Sequence, residues 1–315
     1  MKFTVKAALL TALLTLPGAT TAVAAERPAR CAEQRFSVQV NGEHQTIAGE
    51  LCSRRKLTSR TPVQILLHGG TYDRSYWDWP YQPRRYSYVD SATRAGYATL
   101  NLDRLGYGRS GRPDPETLDF EAGGEAVHQV VRQLRPRFRT IVLNGHSMGG
   151  LVAEKAAERG GVDAVIISGI PRDRPGARAA AASPFHPAEL DPKFAGKPWA
   201  RGYFTTRPGT RAQTFHHPGT YDPAIIPVEE ALKDTLASAE LRAVEPGASK
   251  RSAPKVPTAY VLGEHDTLVC GSGDCGADEI VRGSGHSINT SLAARSFYRW
   301  TFTWLARKLG SPNLD

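Results

Sequence analysis

Residues 140–157 constrain this chain more than any other stretch. The apolar run Thr140-Ile141-Val142-Leu143 is followed, after one residue, by Gly145-His146-Ser147-Met148-Gly149-Gly150, and that directly by Leu151-Val152-Ala153-Glu154-Lys155-Ala156-Ala157. The first run reads as a buried strand and the last as a helix. Glycines flanking the serine let two backbones pass where a side chain would collide. A strand that feeds a helix through so short a turn belongs to a mostly parallel sheet covered by helices. The turn also lifts the Ser147 hydroxyl above the sheet and leaves the Met148 amide at a helix N-terminus, facing any developing negative charge. The competing reading is a tight turn with an incidental serine, and the rest of the chain separates the two.

Further strands are expected over 63–67, 97–102, 164–169, 258–263 and 279–282. Helices are expected over 88–94, closed by Gly96, and after residue 119, where Phe120, Val127, Val130, Val131 and Leu134 recur at helical spacing. The last helix, roughly 289–309, carries Leu292, Phe297, Trp300, Trp304 and Leu305 on one face, with Arg307-Lys308 near its C-terminus. Between about 171 and 252 prolines, glycines and polar residues dominate, with one helical stretch near 228–243. That segment reads as a cap inserted over the C-terminal edge of the sheet, within a single domain spanning 26–315. No internal repeat is evident.

The N-terminus reads as a leader. Lys2 and Lys6 precede an apolar stretch, 7–16, followed by Pro17, Gly18 and the small residues Ala22-Val23-Ala24-Ala25. This is the pattern of a secretory signal peptide, 1–25, cleaved near Ala25. The stretch is far short of the ~20 residues a membrane span needs, so a secreted protein without a stable membrane anchor is expected. Four cysteines agree with an oxidising compartment. Asn41-Gly42 is a strong hairpin turn, and counting outward from it places Cys31 opposite Cys52 in a non-hydrogen-bonded pair, suited to a disulfide. Cys270 and Cys275 then remain to pair with each other. Free thiols or a metal site are the alternative, but the spacings match no zinc pattern.

The formal charge is +9, and losing the two leader lysines leaves about +7. The basic residues are scattered among acids without interleaved aromatics, which argues against a nucleic-acid surface. Clusters such as Arg54-Arg55-Lys56 and Arg84-Arg85 read as solvated faces. Oligomeric state is not encoded in any of these features.

Four features in order make the chain resemble an α/β-hydrolase: His68-Gly69-Gly70 after one strand, Asp103 to Ser110 after the next, the serine turn, then Asp266 and His286 near the end. The resemblance spans nearly all of the chain after the leader. It implies an α/β fold and a Ser147 nucleophile, with His286 as base and Asp266 orienting it. Glu264 and Asp173 are rivals for the acid. Oxyanion donors would be the Met148 amide and that of Gly70 or Thr71. His146 belongs to the turn, His68 braces the oxyanion loop, and His216-His217 read as surface loop residues that are secondary candidates for substrate contact. The Asp103 turn reads as structural. Tyr72, Tyr76, Trp77, Trp79 and Tyr81 either line an apolar substrate pocket, Tyr72, Tyr76 and Trp77 foremost, or pack the insertion onto the core.

The resemblance implies a secreted serine hydrolase acting on a small-molecule ester or lactone, with no metal or organic cofactor. Relatives that cleave haloalkanes or epoxides generally carry aspartate at the nucleophile position. Thioesterases often share Gly-His-Ser-Met-Gly-Gly, but their carrier-bound substrates are cytoplasmic. A secreted peptidase or amidase, a non-catalytic binding member of the fold, and a basic envelope- or nucleic-acid-binding protein, supported only by charge, are the alternatives.

Overall fold

The structure, a computed structural model, describes residues 28–172, 183–244, 254–270 and 275–312. The expected leader and Asp173 lie outside them. Asn41 and Gly42 both adopt positive φ, 52° and 83°, the geometry of a two-residue hairpin turn. Strands β1 (Arg30–Val40) and β2 (Glu43–Ser53) therefore run antiparallel, with Cys31 and Cys52 as register partners, Cα atoms 4.1 Å apart, in a disulfide. After β3 (Val63–Leu67) come the short α1 (Pro83–Tyr86), absent from the sequence reading, and α2 (Tyr88–Arg94). Next are β4 (Ala98–Leu102), α3 (Phe120–Leu134), β5 (Ile141–His146), α4 (Met148–Glu158) and β6 (Ala164–Ser168).

The segment after β6 builds a small antiparallel sheet of its own from β7 (Phe185–Pro187), β8 (Tyr203–Thr206) and β9 (Leu236–Ala237). It also carries α5 (Arg211–Phe215), α6 (Ile225–Leu232) and α7 (Ser238–Ala243). The single helical stretch expected near 228–243 is thus two helices split by a strand. Residues 233–237 are extended because Asp234 is held from several sides: its N–H donates to the Thr71 carbonyl, its own carbonyl accepts from Thr205, and its carboxylate accepts the Gly108 amide. The chain then closes the main sheet with β10 (Thr258–Gly263) and β11 (Glu279–Val281) and ends in α8 (Ala294–Leu309). Helix α8 starts later than the spacing suggests. The Asn289 amide is spent on the carbonyls of Tyr76 and Tyr86, and Leu292, expected on the buried face, is exposed.

The main sheet has eight strands in the order β1-β2-β4-β3-β5-β6-β10-β11, antiparallel at β1–β2–β4 and parallel elsewhere. Alternate strand residues feed two cores. Val63, Ile65, Leu67, Ile141 and Leu143 pack with α3 and α4 on one face, while Leu66, Val142 and Ile166 pack with α2 and α8 on the other. Period-two alternation on strands buried on both faces gives this partition. A second disulfide, Cys270–Cys275, follows β10. Among the described residues no helix is long and apolar enough to cross a membrane.

Candidate active site

The turn from β5 into α4 is where local chemistry and packing meet. Ser147 sits at φ 52°, ψ −125°, a conformation that side-chain-bearing residues rarely adopt and that persists only where the surroundings impose it. They do so here. The Ser147 N–H donates to the Ser168 carbonyl at 2.7 Å, and the Ser147 carbonyl receives the Gly150 amide at 2.8 Å. A Cβ on Gly145 would lie 2.3 Å from the Gly149 carbonyl oxygen, and one on Gly149 would lie 2.3 Å from the Leu67 carbonyl oxygen. The motif's glycines are therefore dictated by the approach of β5, α4 and the end of β3. Met148 is the first residue of α4, so its N–H is among those a helix leaves without an intrahelical acceptor.

The loops after β10 and β11 bring the other two residues to this turn. His286 Nε2 lies 2.9 Å from Ser147 Oγ, and His286 Nδ1 lies 2.9 Å and 3.0 Å from the two oxygens of Asp266. Asp266 and His286 are only 2% and 3% exposed, which keeps water from competing for these bonds. An ionised Asp266 accepts the Nδ1 proton, leaving the Nε2 lone pair toward the serine. Glu264, the rival acid, is engaged elsewhere: it accepts the Gly283 amide at 2.8 Å and is half-exposed beside His265.

The other histidines have different surroundings. His68 Nδ1 is 2.8 Å from the Gly69 carbonyl, and its Nε2 accepts the Arg104 amide at 3.1 Å. Burial first, then the Arg104 charge, hold His68 far below the usual imidazole range, so it stays neutral and braces the loop. Arg104 in turn pairs with Glu240 of α7, which also accepts the Tyr107 hydroxyl at 2.5 Å. His146 is buried, stacked on Tyr76 with ring centres 4.6 Å apart, and likewise pushed well down by burial and then by its neighbour His286. His217 stacks on His265 at 4.1 Å. His216 is not a surface residue; its ring is buried against Glu229, with Nε2 to Oε1 2.9 Å.

Most of the aromatics that follow Gly70 lie in the core. Tyr72, Tyr76 and Trp77 are at most 3% exposed and belong to the core on the α2 and α8 side, as does Trp79. Tyr76 packs edge-on to both Tyr72 and Trp77, and Trp77 packs edge-on to Tyr88. Tyr81 is part-buried and donates to Asp222. Rings so deeply packed are not on the wall of the cavity at Ser147. That cavity, about 190 Å³, is lined instead by Gly70, Met148, Leu151, Ile170, Phe185, Phe215 and a few further apolar residues. Among its described lining residues Ser147 alone brings a polar side chain. Most of these residues are scattered through the chain without a local pattern, so no sequence signal marked them.

Of the two oxyanion candidates, Gly70 lies on the cavity wall with Ser147 and Met148. Thr71 is buried, at φ 59°, with its carbonyl taken by Asp234 and Arg211. Asp103 organises its turn as expected, accepting the amides of Arg74 and Arg109, and burial raises its carboxyl to about 6. Donor atoms of Cys31, Glu50 and Cys52 lie within 4.8 Å of one another, but both sulfurs are consumed by the disulfide.

Comparison with known proteins places the chain in a family. A search of curated protein sequences returns no match. Among solved structures, a putative aryl esterase from Burkholderia cenocepacia is similar over 88% of this chain and 99% of its own, at 18% identity and a TM-score of 0.58. An N-acyl homoserine lactonase complexed with N-butanoyl homoserine is similar over 90% and 98%, at 14% identity and 0.57. An epoxide hydrolase from an endophytic Streptomyces is similar over 87% and 95%, at 19% identity and 0.54. Likeness at such identities speaks for the fold, and the three chemistries differ. The sequence pattern of the alpha/beta hydrolase family matches residues 64–303, from β3 into α8. The chain belongs to the alpha/beta hydrolase family.

Proposed function

We propose that this protein is a serine hydrolase that cleaves small carboxylic esters or lactones through an acyl-enzyme. The observation that carries the reading is the hydrogen-bonded line from Ser147 Oγ through His286 to Asp266, at 2.9 Å in each link. Ser147 attacks the carbonyl carbon as His286 Nε2 takes its proton, and Asp266 stabilises the resulting imidazolium. The Met148 and Gly70 amides receive the oxyanion. Collapse of the tetrahedral species expels the alkoxide, which takes the proton from Nε2 and leaves as alcohol. Water then attacks the ester carbonyl of acyl-Ser147, giving its proton to Nε2. The second collapse returns that proton to Ser147 and releases the acid.

The cavity supports a short, uncharged acyl group. Its volume corresponds to about six groups the size of a water molecule, at ~30 Å³ each, and among the described residues its walls offer no charged side chain. The esterase and lactonase among the structural neighbours support ester chemistry on this fold. Two disulfides, with the basic, apolar and small-residue leader, support export to an oxidising compartment. The test is hydrolysis of p-nitrophenyl esters across acyl lengths, with an optimum expected near four to six carbons. Ser147→Ala is expected to lose on the order of 10⁵-fold in kcat, together with labelling by a fluorophosphonate. Turnover by Ser147→Ala at the wild-type rate refutes the reading.

A further inference from the structure

The mechanism above leaves unused a fully buried charge cluster beside the site. Arg211 of α5 and Glu229 of α6 are both wholly inaccessible. Glu229 Oε1 accepts from the Tyr72 hydroxyl at 2.8 Å and from His216 Nε2 at 2.9 Å, while Oε2 faces Arg211 Nε at 3.4 Å. The Arg211 guanidinium lies over the Tyr72 ring, 4.3 Å from its centre. Its Nη1 is 3.2 Å from the Thr71 carbonyl oxygen, 3.1 Å from Thr71 Oγ1 and 3.2 Å from Thr206 Oγ1.

Both ends of this cluster touch the residues on either side of the proposed chemistry. At one end is Thr71, whose φ of 59° is an unusual state for a β-branched residue and needs an external hold. Thr71 follows Gly70 directly, so its conformation sets where the end of the oxyanion loop points. At the other end the Ser287 hydroxyl is 2.8 Å from the Tyr72 hydroxyl, and the Ser287 amide donates to the Phe215 carbonyl at 2.9 Å. Ser287 follows His286, and the Phe215 ring stacks on the His286 ring. A buried ion pair is a poor device for stability alone, since apolar side chains of similar volume commonly serve as well. A planar fork that reaches a strained carbonyl and a carboxylate together does what no apolar side chain can.

We propose that Arg211 is a positioning residue. It holds Thr71 in the left-handed conformation and so aims the Gly70 amide at the oxyanion, while Glu229, through Tyr72 and Ser287, steadies the loop that carries His286. The inference rests on the serine-hydrolase reading, and Arg211 and Glu229 thereby act on catalysis without lining the cavity at Ser147.

The experiment compares wild type, Thr71→Gly, the charge-neutral pair Arg211→Met/Glu229→Gln, and the same pair with Thr71→Gly added. For the pair, kcat on a p-nitrophenyl ester is expected to fall 10- to 100-fold with KM within about threefold, less than deletion of an oxyanion donor costs. Affinity for a trifluoromethyl ketone, whose serine adduct carries the oxyanion, is expected to fall in parallel with kcat/KM. Glycine adopts positive φ without penalty, so adding Thr71→Gly is expected to recover at least fivefold of the loss, which a purely structural role for Arg211 does not predict. An unchanged kcat in the pair, a rate loss without loss of ketone affinity, or no recovery with glycine overturns the proposal. Should the pair not fold, Arg211→Lys keeps the charge beside Glu229 but lacks the fork; wild-type kcat in that variant overturns it equally. A wild type that turns over no ester overturns both this inference and the reading beneath it, whereas an active wild type with indifferent variants overturns this inference alone.

Discussion

Replacing Asp266 by asparagine tests the hydrogen-bonded line with little change in shape. In the native site the carboxylate stands 2.9 Å and 3.0 Å from His286 Nδ1, with both residues buried. Two losses follow from the substitution. The negative charge that stabilises the imidazolium disappears; for centres about 4 Å apart at an effective dielectric near 20, that is about 4 kcal/mol. At 1.36 kcal/mol per decade this is about three orders of magnitude in rate. The asparagine NH₂ can also turn toward Nδ1, which shifts the ring proton to Nε2. Nε2 then donates to Ser147 instead of accepting from it, and the base is lost; an acid-to-amide change of this kind typically costs about 10⁴ in kcat. We therefore expect kcat for p-nitrophenyl butyrate to fall 10³- to 10⁴-fold, with KM and the unfolding transition little altered. The assay is steady-state hydrolysis at neutral pH on protein verified by near-UV circular dichroism. An Asp266→Asn protein within tenfold of wild type refutes the assignment, and Glu264→Gln and Asp173→Asn then become the variants to examine.

Gly149→Ala puts a methyl group 2.3 Å and 2.4 Å from the carbonyl oxygens of Leu67 and His68, backbone that has nowhere to move. We expect more than about 2 kcal/mol of destabilisation in urea titrations and loss of esterase activity, and near-native values for both contradict the packing argument. Removing Cys31–Cys52 frees a 21-residue separation and Cys270–Cys275 one of 5, so double serine variants are expected to lose about 3 and about 2 kcal/mol respectively. The reverse ranking in equilibrium unfolding would count against a chain-entropy origin. In acid, burial raises the Glu229 carboxyl, but His216, Arg211 and Tyr72 outweigh it and hold the group at about 2, against 4.5 ordinarily. Its folded value is depressed, so its contribution, on the order of 3 kcal/mol, is complete above pH 4.5 and is lost as pH falls toward 2. Glu229→Gln is expected to flatten the fall in unfolding free energy across that window, and an unchanged slope rejects it. Asp103 has the opposite sign: its folded carboxyl is raised to about 6, so stability rises as pH drops from 6 toward 4. Asp103→Asn should abolish that rise.

The local grammar of strand, turn and helix was legible from the chain alone. The glycine-flanked serine, the Asn41-Gly42 hairpin and the strand–helix alternation each depend on neighbours within a few residues. They correspond to β5–α4, to the Cys31–Cys52 register and to a mostly parallel sheet with helices on both faces. The order of Ser147, Asp266 and His286 along the chain was also readable, because each follows a recognisable strand. Contacts between distant residues were not. Aromatics that follow the oxyanion loop in sequence turn into the α2 and α8 core, while the cavity wall is assembled from Leu151, Ile170, Phe185, Phe215 and Leu268 on separate elements. Arg211 and Glu229 lie in a stretch where prolines, glycines and polar residues dominate, yet both are wholly buried and bonded to Thr71 and Tyr72, some 140 and 157 positions away. The sequence by itself determined the sheet, the serine turn and the order of Ser147, Asp266 and His286, since those follow from backbone sterics and short-range hydrophobic period. Only the tertiary structure decided which side chains enclose Ser147 and what steadies its surroundings, because desolvation pairs charges and shapes a cavity only once distant segments have packed together.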